Sequence, residues 1–334
     1  MQTHEAQIEL TKLLGYTEPE ARFLHLVATH SGYFLPRQFA AFTGCHRSNR
    51  AAQFSKKLTA KRHARVRRLP ATGRVLMLSS QTIYKHARAE VRPTHRDHAI
   101  EQTHSRLAVL DFVLQNSAFT YLQNESDKVA YFCTNWHVPT HDLPSRNFGG
   151  RYLARGEVRY FRDRNLIFFV PCSLCETLTF SFFQGVSPDL NAFARHLKSY
   201  LPLFHRLPKF DFWFLARSEG LFADASEVFR EAVTTPLQSN PSSDLLRYFR
   251  IRKVWESADR TSITENDLSF RYKVKDQFSG QRFENLYQSW KRNLFPESEI
   301  RSQIGGSDEP HTVRFETRIV TNVGNASQSL EVSR

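Results

Sequence analysis

Apolar and polar positions over the first 80 residues follow three helical segments and then two short alternating ones. Thr17 to Glu20 has the residues of a capping box, and apolar residues then recur at helical spacing from Ala21 to Ala28. Pro36 to Phe42 is long enough for two turns of helix, and Thr43 to His46 contains the glycine of a tight inter-helix turn. The pattern therefore predicts two short helices set at an angle.

The third helical segment, about Arg47 to Ala60, has one apolar and one polar face. At 100° per residue, Ala51, Phe54 and Leu58 fall on one side. The opposite side carries residue types suited to a DNA groove, because Asn and Gln pair with adenine and Arg or Lys reach guanine or phosphate. An ordinary solvated helix is the alternative. We predict these base-reading residues: Asn49, Arg50, Gln53, Lys56 and Lys57.

A hairpin follows the third helix. Ala64 to Leu69 alternates with period two, Pro70 to Gly73 is a turn, and Arg74 to Leu78 returns as a second strand. Three helices and a hairpin in this order predict a winged helix-turn-helix. Five arginines around the hairpin and the third helix are predicted to hold the DNA backbone: Arg47, Arg65, Arg67, Arg68 and Arg74.

Beyond residue 117 the chain is rich in phenylalanine and alternates strands with helices. Glu157 to Phe161 and Leu166 to Val170 are predicted to form a hairpin, and the apolar strand Phe210 to Leu215 follows a helix that begins near Ser187. We predict an α+β protein. Its parts are a winged helix-turn-helix (15–96), an α/β sandwich domain (97–236), a helical extension (237–296) and a flexible, mobile tail (297–334) with one weak strand.

Charge narrows the class of partner. The chain of 334 residues has a net charge of +13, and between Arg37 and Arg96 it has 15 basic residues against one acid, Glu90. The rest of the chain is close to neutral. A folded basic block of one sign favours a polyanion, and duplex DNA is the expected partner. An RNA-binding regulator would share this block, and a merely solvated face is the third interpretation.

Cysteine usage and the N-terminal residues indicate the compartment. The four cysteines are too few and too irregularly spaced for a disulfide framework. Glu5 and Glu9 lie where a signal peptide needs basic and apolar residues, and the longest apolar stretch, Leu166 to Cys175, is too short for a membrane helix. We expect a soluble cytoplasmic protein with no membrane partner.

A metal-dependent nuclease of the PD-(D/E)xK type is the enzymatic alternative. Asp163 is its candidate acid, but Ser181 and Gln184 stand where a second carboxylate and a lysine are needed. We therefore expect no catalytic residue, no metal and no cofactor.

Cysteines and histidines give only weak metal motifs. Cys172 and Cys175, with Cys133 and His137, match a zinc site only loosely and are better explained as core thiols. Three further histidines are expected to contact solvent or backbone: His95, His98 and His104.

The order of these parts resembles the plasmid replication-relaxation family, a winged helix-turn-helix followed by a restriction-endonuclease-like domain. The resemblance covers about residues 15 to 235 and depends on four segments: Phe39 to Leu58, Arg65 to Leu78, Glu101 to Leu114 and Thr179 to Tyr200. It implies DNA binding on a mobile genetic element, as a regulator or as a replication or mobilisation accessory protein. Phe182 to Gln184 lacks the acid that the family's strand carries, which implies a degenerate second domain. Winged-helix proteins often dimerise on paired half-sites, so a homodimer is an open alternative to a monomer.

Overall fold

A computed structural model gives the architecture as a mixture of helices and three β-sheets. It describes residues 2–45, 49–69, 72–88, 99–148, 157–163, 165–171, 176–185, 189–238, 241–257, 263–304 and 311–323. The protein therefore belongs to the α+β class, as predicted. Within these residues, every helix is too short or too polar to cross a lipid bilayer.

The N-terminal part packs helices against a small antiparallel sheet. Its elements in chain order are α1 (Gln2–Lys12), α2 (Glu18–Leu26), β1 (Tyr33–Phe34), α3 (Pro36–Phe42), α4 (Arg50–Ala60), β2 (Ala64–Leu69), β3 (Gly73–Leu78) and α5 (Gln81–His86). A π-helical turn, Val27–Ser31, continues α2. The sheet order is β1-β3-β2, and residues 75–78 of the central strand β3 are all buried.

Aromatic packing fixes α4 against the helices before it. Phe54 stacks on Phe39 with ring centroids 4.2 Å apart, and Phe39 meets the edge of Phe23 at 5.1 Å. Phe54 and Leu58 are 1% and 0% exposed, so the predicted apolar face of this helix is confirmed. Burying each such side chain contributes about 1.5–3 kcal/mol. Helix α4 begins at Arg50 rather than near Arg47, and Asn49 is its N-cap residue.

The second part is built on a mixed sheet. Its elements are α6 (Ile100–Gln115), β4 (Thr120–Tyr121), α7 (Glu125–Asn135), β5 (Ser145–Phe148), β6 (Glu157–Tyr160), β7 (Ile167–Pro171), β8 (Glu176–Phe183), α8 (Asn191–Phe204), β9 (Lys209–Ala216), α9 (Phe222–Phe229) and α10 (Thr235–Gln238). Helices α7, α8 and α9 pack phenylalanines on one sheet face, and α6 packs Phe112 against Phe168 and Trp213 on the other. The central strands are therefore covered on both sides.

The predicted hairpin between residues 157–161 and 166–170 is wrong. β6 pairs with β5 in a separate two-stranded sheet, whereas β7 pairs with β8 and with β4. The physical reason is burial, because Ile167 and Phe168 are 1% and 0% exposed and need a sheet covered on both faces.

Four helices follow and form their own core. They are α11 (Pro241–Trp255), α12 (Glu265–Val274), α13 (Gln281–Lys291) and α14 (Glu297–Ile304). Leu245, Phe249, Tyr287 and Ile300 are buried at their centre. Arg206 connects this core to the sheet domain. Its Nε donates to Asp142 at 2.8 Å, and its Nη2 donates to the carbonyl of Gln303 on α14 at 3.4 Å.

The predicted mobile tail is wrong for residues 297–304, which form α14. Residues 312–319 confirm the weak strand that was predicted within that tail. They form β10 (Thr312–Ile319), which pairs in parallel with β9 along its whole length and gives the sheet order β10-β9-β8-β7-β4. Phe315 explains the recruitment, because it stacks on Phe229 at 4.5 Å and lies beside Phe212 at 6.3 Å. The predicted tail beyond residue 323 lies outside the described residues.

Candidate nucleic-acid interface

The outer face of α4 presents the polar residues that the sequence predicts for base contact. Asn49, Arg50, Gln53 and Lys56 are all exposed. Phe54 and Leu58 hold the opposite side in the core, so the orientation of the exposed set is fixed by packing. Two of the four lie at the start of the helix, which is the end that contacts base edges in helix-turn-helix proteins.

Lys57, which the sequence also predicts for base contact, is half-buried and has partners within the fold. Its ammonium forms an ion pair with the carboxylate of Glu20 and lies 4.9 Å from the centre of the Tyr16 ring. The Lys57 side chain therefore bridges α4 to the start of α2. It contributes to the packing of the helices and not to their outer face.

The hairpin β2–β3 carries arginines directly opposite one another. Arg65, Arg68 and Arg74 are exposed, and the pairing register places Arg68 opposite Arg74. Arg67 is half-buried and engaged within the fold. Like charges directly opposite on neighbouring strands destabilise a sheet. A bound anion between the two guanidinium groups would remove this repulsion.

His63 anchors the base of the hairpin to α4. Its amide donates to the Leu58 carbonyl at 2.9 Å, and its own carbonyl accepts from the Ser79 amide at 2.8 Å. Burial, and then the charge of Lys61, lowers the pKa of His63. Nδ1 of His63 and the Tyr16 hydroxyl are hydrogen-bonded at 2.7 Å.

The far end of the hairpin rests on α6. Thr72 Oγ1 and His104 Nε2 are hydrogen-bonded at 2.9 Å, and Leu69 packs in one cluster with Leu107. The expectation that His104 contacts only solvent or backbone is therefore wrong. The hairpin backbone is therefore held against α4 at one end and against α6 at the other.

A buried carboxylate joins this surface to the rest of the molecule. Asp111 of α6 is 0% exposed and receives hydrogen bonds from Arg37 at 3.1 and 3.2 Å, from Gln38 at 2.8 Å and from Arg217 at 3.2 Å. The Val323 amide donates to the same carboxylate at 3.3 Å. We call this group the Asp111 junction.

The Asp111 junction was missed by the sequence reasoning, although the sequence carries a signal for it. Asp111 interrupts the apolar run Leu107 to Val113, and an acid in such a run must find cationic partners when it is buried.

No acid offsets the charge of this surface within its own segment. The sequence contains neither Asp nor Glu from residue 21 to residue 89. Further exposed cations of the same acid-free segment were not predicted as site residues: Arg62, Lys85 and Arg88. The exposed side of α4, together with Arg68 and Arg74, is called the basic surface below, and Arg65 lies on the opposite face of β2.

The nuclease candidate Asp163 is held by neighbouring side chains. Its carboxylate accepts from Tyr200 at 2.9 Å and is 2.8 Å from Nδ1 of His196. Burial raises the pKa of Asp163, but the charge and hydrogen bond of His196 outweigh burial and hold that pKa below its usual range. Ser181 is buried and donates to the Leu166 carbonyl at 3.0 Å. Among the described residues, no three His, Cys, Asp or Glu side chains are grouped to hold a metal.

Some sequence predictions cannot be placed. The following lie outside the described residues: Arg47, His95, His98, Cys172 and Cys175. Cys133 is half-buried and packs against the main core, which agrees with its interpretation as a core thiol.

Comparison with protein-family models, with curated proteins and with solved structures gives no match.

Proposed function

We propose that the protein binds duplex DNA in a sequence-specific manner through a winged helix-turn-helix. Helices α3 and α4 supply the helix pair and β2–β3 supplies the wing. One observation carries the proposal: Arg68 faces Arg74 across the hairpin, in a stretch of chain that contains no acid. Repulsion between two exposed arginines opposite each other lowers the stability of the hairpin, and a phosphate bound between them would remove that repulsion.

Under this proposal, α4 enters the major groove. Asn49 and Gln53 have the donor and acceptor pair that recognises adenine, and Arg50 and Lys56 reach guanine. All four side chains are exposed on one helix that packing holds in place. They therefore supply sequence preference.

The hairpin supplies most of the salt-dependent affinity. Arg68 and Arg74 are exposed on one face of the hairpin and Arg65 is exposed on the other, and all three would neutralise phosphates. Arg67 is half-buried, so we assign it the smallest share of the contact among the hairpin arginines.

Binding is favoured over metal-dependent cleavage. The Asp163 carboxylate is occupied by His196 and Tyr200, and the described residues offer no metal cluster beside it. A role as a regulator or as a replication or mobilisation accessory protein of a mobile genetic element is our proposal for the process. Its support is the order of elements, which resembles that of the plasmid replication-relaxation family.

The test is to measure duplex binding by fluorescence anisotropy at a series of salt concentrations. The double variant Arg68→Ala/Arg74→Ala should bind more weakly, and the slope of log K against log salt should fall by about 0.9 for each lost phosphate contact. Arg292→Ala/Arg301→Ala removes the same two charges from exposed positions in the C-terminal helical part and should change neither quantity.

Two outcomes would overturn the proposal. One is a wild-type chain with no affinity for duplex DNA at low salt. The other is competition in which structured RNA displaces the duplex at equal concentration, because the deep, narrow major groove of an RNA helix does not admit α4.

A further inference from the structure

Strand β10 exposes a complete backbone edge. The Thr312 amide donates to the Pro208 carbonyl and the Val320 amide donates to the Ala216 carbonyl, both at 2.8 Å. In a parallel ladder this register points the backbone N–H and C=O groups of the even-numbered residues of β10 toward β9. The backbone groups of the odd-numbered residues point to the outer edge of the sheet. Within the described residues, no backbone group pairs with that outer side. Such an edge is a template for another strand.

The side chains along β10 alternate in a way that suits pairing with itself. Arg314, Glu316 and Arg318 follow one another on one face of the strand, in the order positive, negative, positive. Within the chain, Glu316 already accepts from both arginines at 2.7 Å. Arg318 also lies 3.2 Å from the centre of the Trp213 ring, so its position is fixed.

Charge selects one register for two antiparallel copies. When the two-fold axis passes through Phe315, Arg314 faces the partner subunit's Glu316, and symmetry repeats this pair on the other side of the axis. Strand pairing then runs from Thr312 to Arg318. When the axis passes through Glu316, the two glutamates face each other and Arg314 faces the partner subunit's Arg318. Opposite charges stabilise cross-strand pairs and like charges destabilise them. The first register is therefore favoured over the second.

A third register, with its axis through Thr317, also pairs opposite charges. It runs past Ile319, where β10 ends, so fewer residues of each strand pair. The register centred on Phe315 combines charge complementarity with the longest pairing.

We infer that β10 is a dimerisation edge, and that its occupant is a second copy of this chain, antiparallel and centred on Phe315. The two five-stranded sheets then form one continuous sheet across the two-fold axis. This inference does not depend on DNA binding. Two-fold symmetry would also place two basic surfaces to meet a palindromic site.

Sedimentation equilibrium of the full chain, without DNA, tests the inference. Glu316→Arg makes the face uniformly basic, and symmetry doubles the effect, so the dimer dissociation constant should rise about tenfold to a hundredfold. Arg314→Glu/Arg318→Glu makes the face uniformly acidic and should also give monomers. Glu265→Arg makes the same charge change at an exposed position on α12 and should leave the dimer intact.

Mixing the two charge-reversed variants separates loss of pairing from loss of folding. Each variant repels itself, but the basic strand complements the acidic strand in every register, so the mixture should form a heterodimer. Recovery of the dimer in the mixture supports the inference. A wild-type chain that is monomeric at high concentration, or a dimer that is insensitive to Glu316→Arg, would overturn it.

Discussion

Replacing Arg68 by glutamine should stabilise the protein and weaken its binding to DNA at the same time. Arg68 faces Arg74 in the hairpin, and both side chains are exposed. Directly opposite residues have Cβ atoms about 4.5–5.5 Å apart, and a pair of like charges there costs roughly 0.2–1 kcal/mol. Because solvent screens exposed charges, we expect a gain near the lower end, about 0.2–0.5 kcal/mol in the free energy of unfolding.

Two assays on the same variant separate these effects. Urea denaturation should show the gain for Arg68→Gln at low salt, and the gain should shrink as added salt shortens the screening length to about 8 Å. Anisotropy titrations should show weaker duplex binding, with the slope of log K against log salt reduced by about 0.9.

A substitution that raises the free energy of unfolding but weakens duplex binding identifies a residue whose role is to contact the ligand. Arg292→Gln is the matched control, because it removes one exposed charge far along the chain, on the C-terminal helices. A loss of stability in Arg68→Gln, with an unchanged salt slope, would refute the reasoning and make Arg68 a structural residue.

Four other expectations follow from the geometry. Lys57→Ala should lower the free energy of unfolding by about 1 kcal/mol and leave the salt slope unchanged. Lys56→Ala should leave the free energy of unfolding unchanged and reduce the salt slope. Urea denaturation measures the stability, and anisotropy measures the slope. Gln53→Ala should lose about 1–3 kcal/mol of discrimination at one base pair, measured by selection from randomised duplexes, with non-specific affinity retained. Asp111→Asn should cost about 2–4 kcal/mol in urea denaturation, because two arginines at that junction lose their shared counter-charge. Burial lowers the pKa of His205 from 6.5 to about 4, so the unfolded chain takes up a proton before the folded chain does. Stability should therefore fall as the pH drops from about 6.5 toward 4, and His205→Asn should flatten that dependence.

Each expectation has a contradicting result. Lys57→Ala with a reduced salt slope would return Lys57 to the DNA contact set. An unchanged base preference in Gln53→Ala would remove that residue from base reading. Wild-type stability in Asp111→Asn, or an unaltered pH profile in His205→Asn, would show that the buried groups contribute little.

Local spacing in the sequence was enough to predict α4 and the hairpin. The apolar positions Ala51, Phe54 and Leu58 recur at helical spacing, and the alternation from Ala64 to Leu69 is visible within one strand. The burial of Phe54 and Leu58 confirms the helix face that this spacing predicted.

Distant partners could not be predicted from such patterns. The partner of Lys57 is Glu20, which lies on another helix, and no local pattern records that contact. The partners of β7 depend on which strands offer a doubly covered sheet, not on the nearest strand in sequence. Only one face of strand β10, that of Val313 and Phe315, packs against the helix layer, so the segment is largely polar and was predicted as part of a tail.

The position of α6 bears on how the protein can be divided. The predicted boundary at residues 96–97 would cut before this helix, yet its Leu110 completes the core beneath α4 and its Leu107 completes the cluster beneath the hairpin. On its third side, Phe112 fills the sheet domain. A fragment ending at residue 96 would lose the side chains that complete the core beneath α4 and beneath the hairpin. A fragment made to test duplex binding would have to extend through Gln115 and replace Phe112 by a polar residue, because the side of α6 that packs on the sheet domain would then face water.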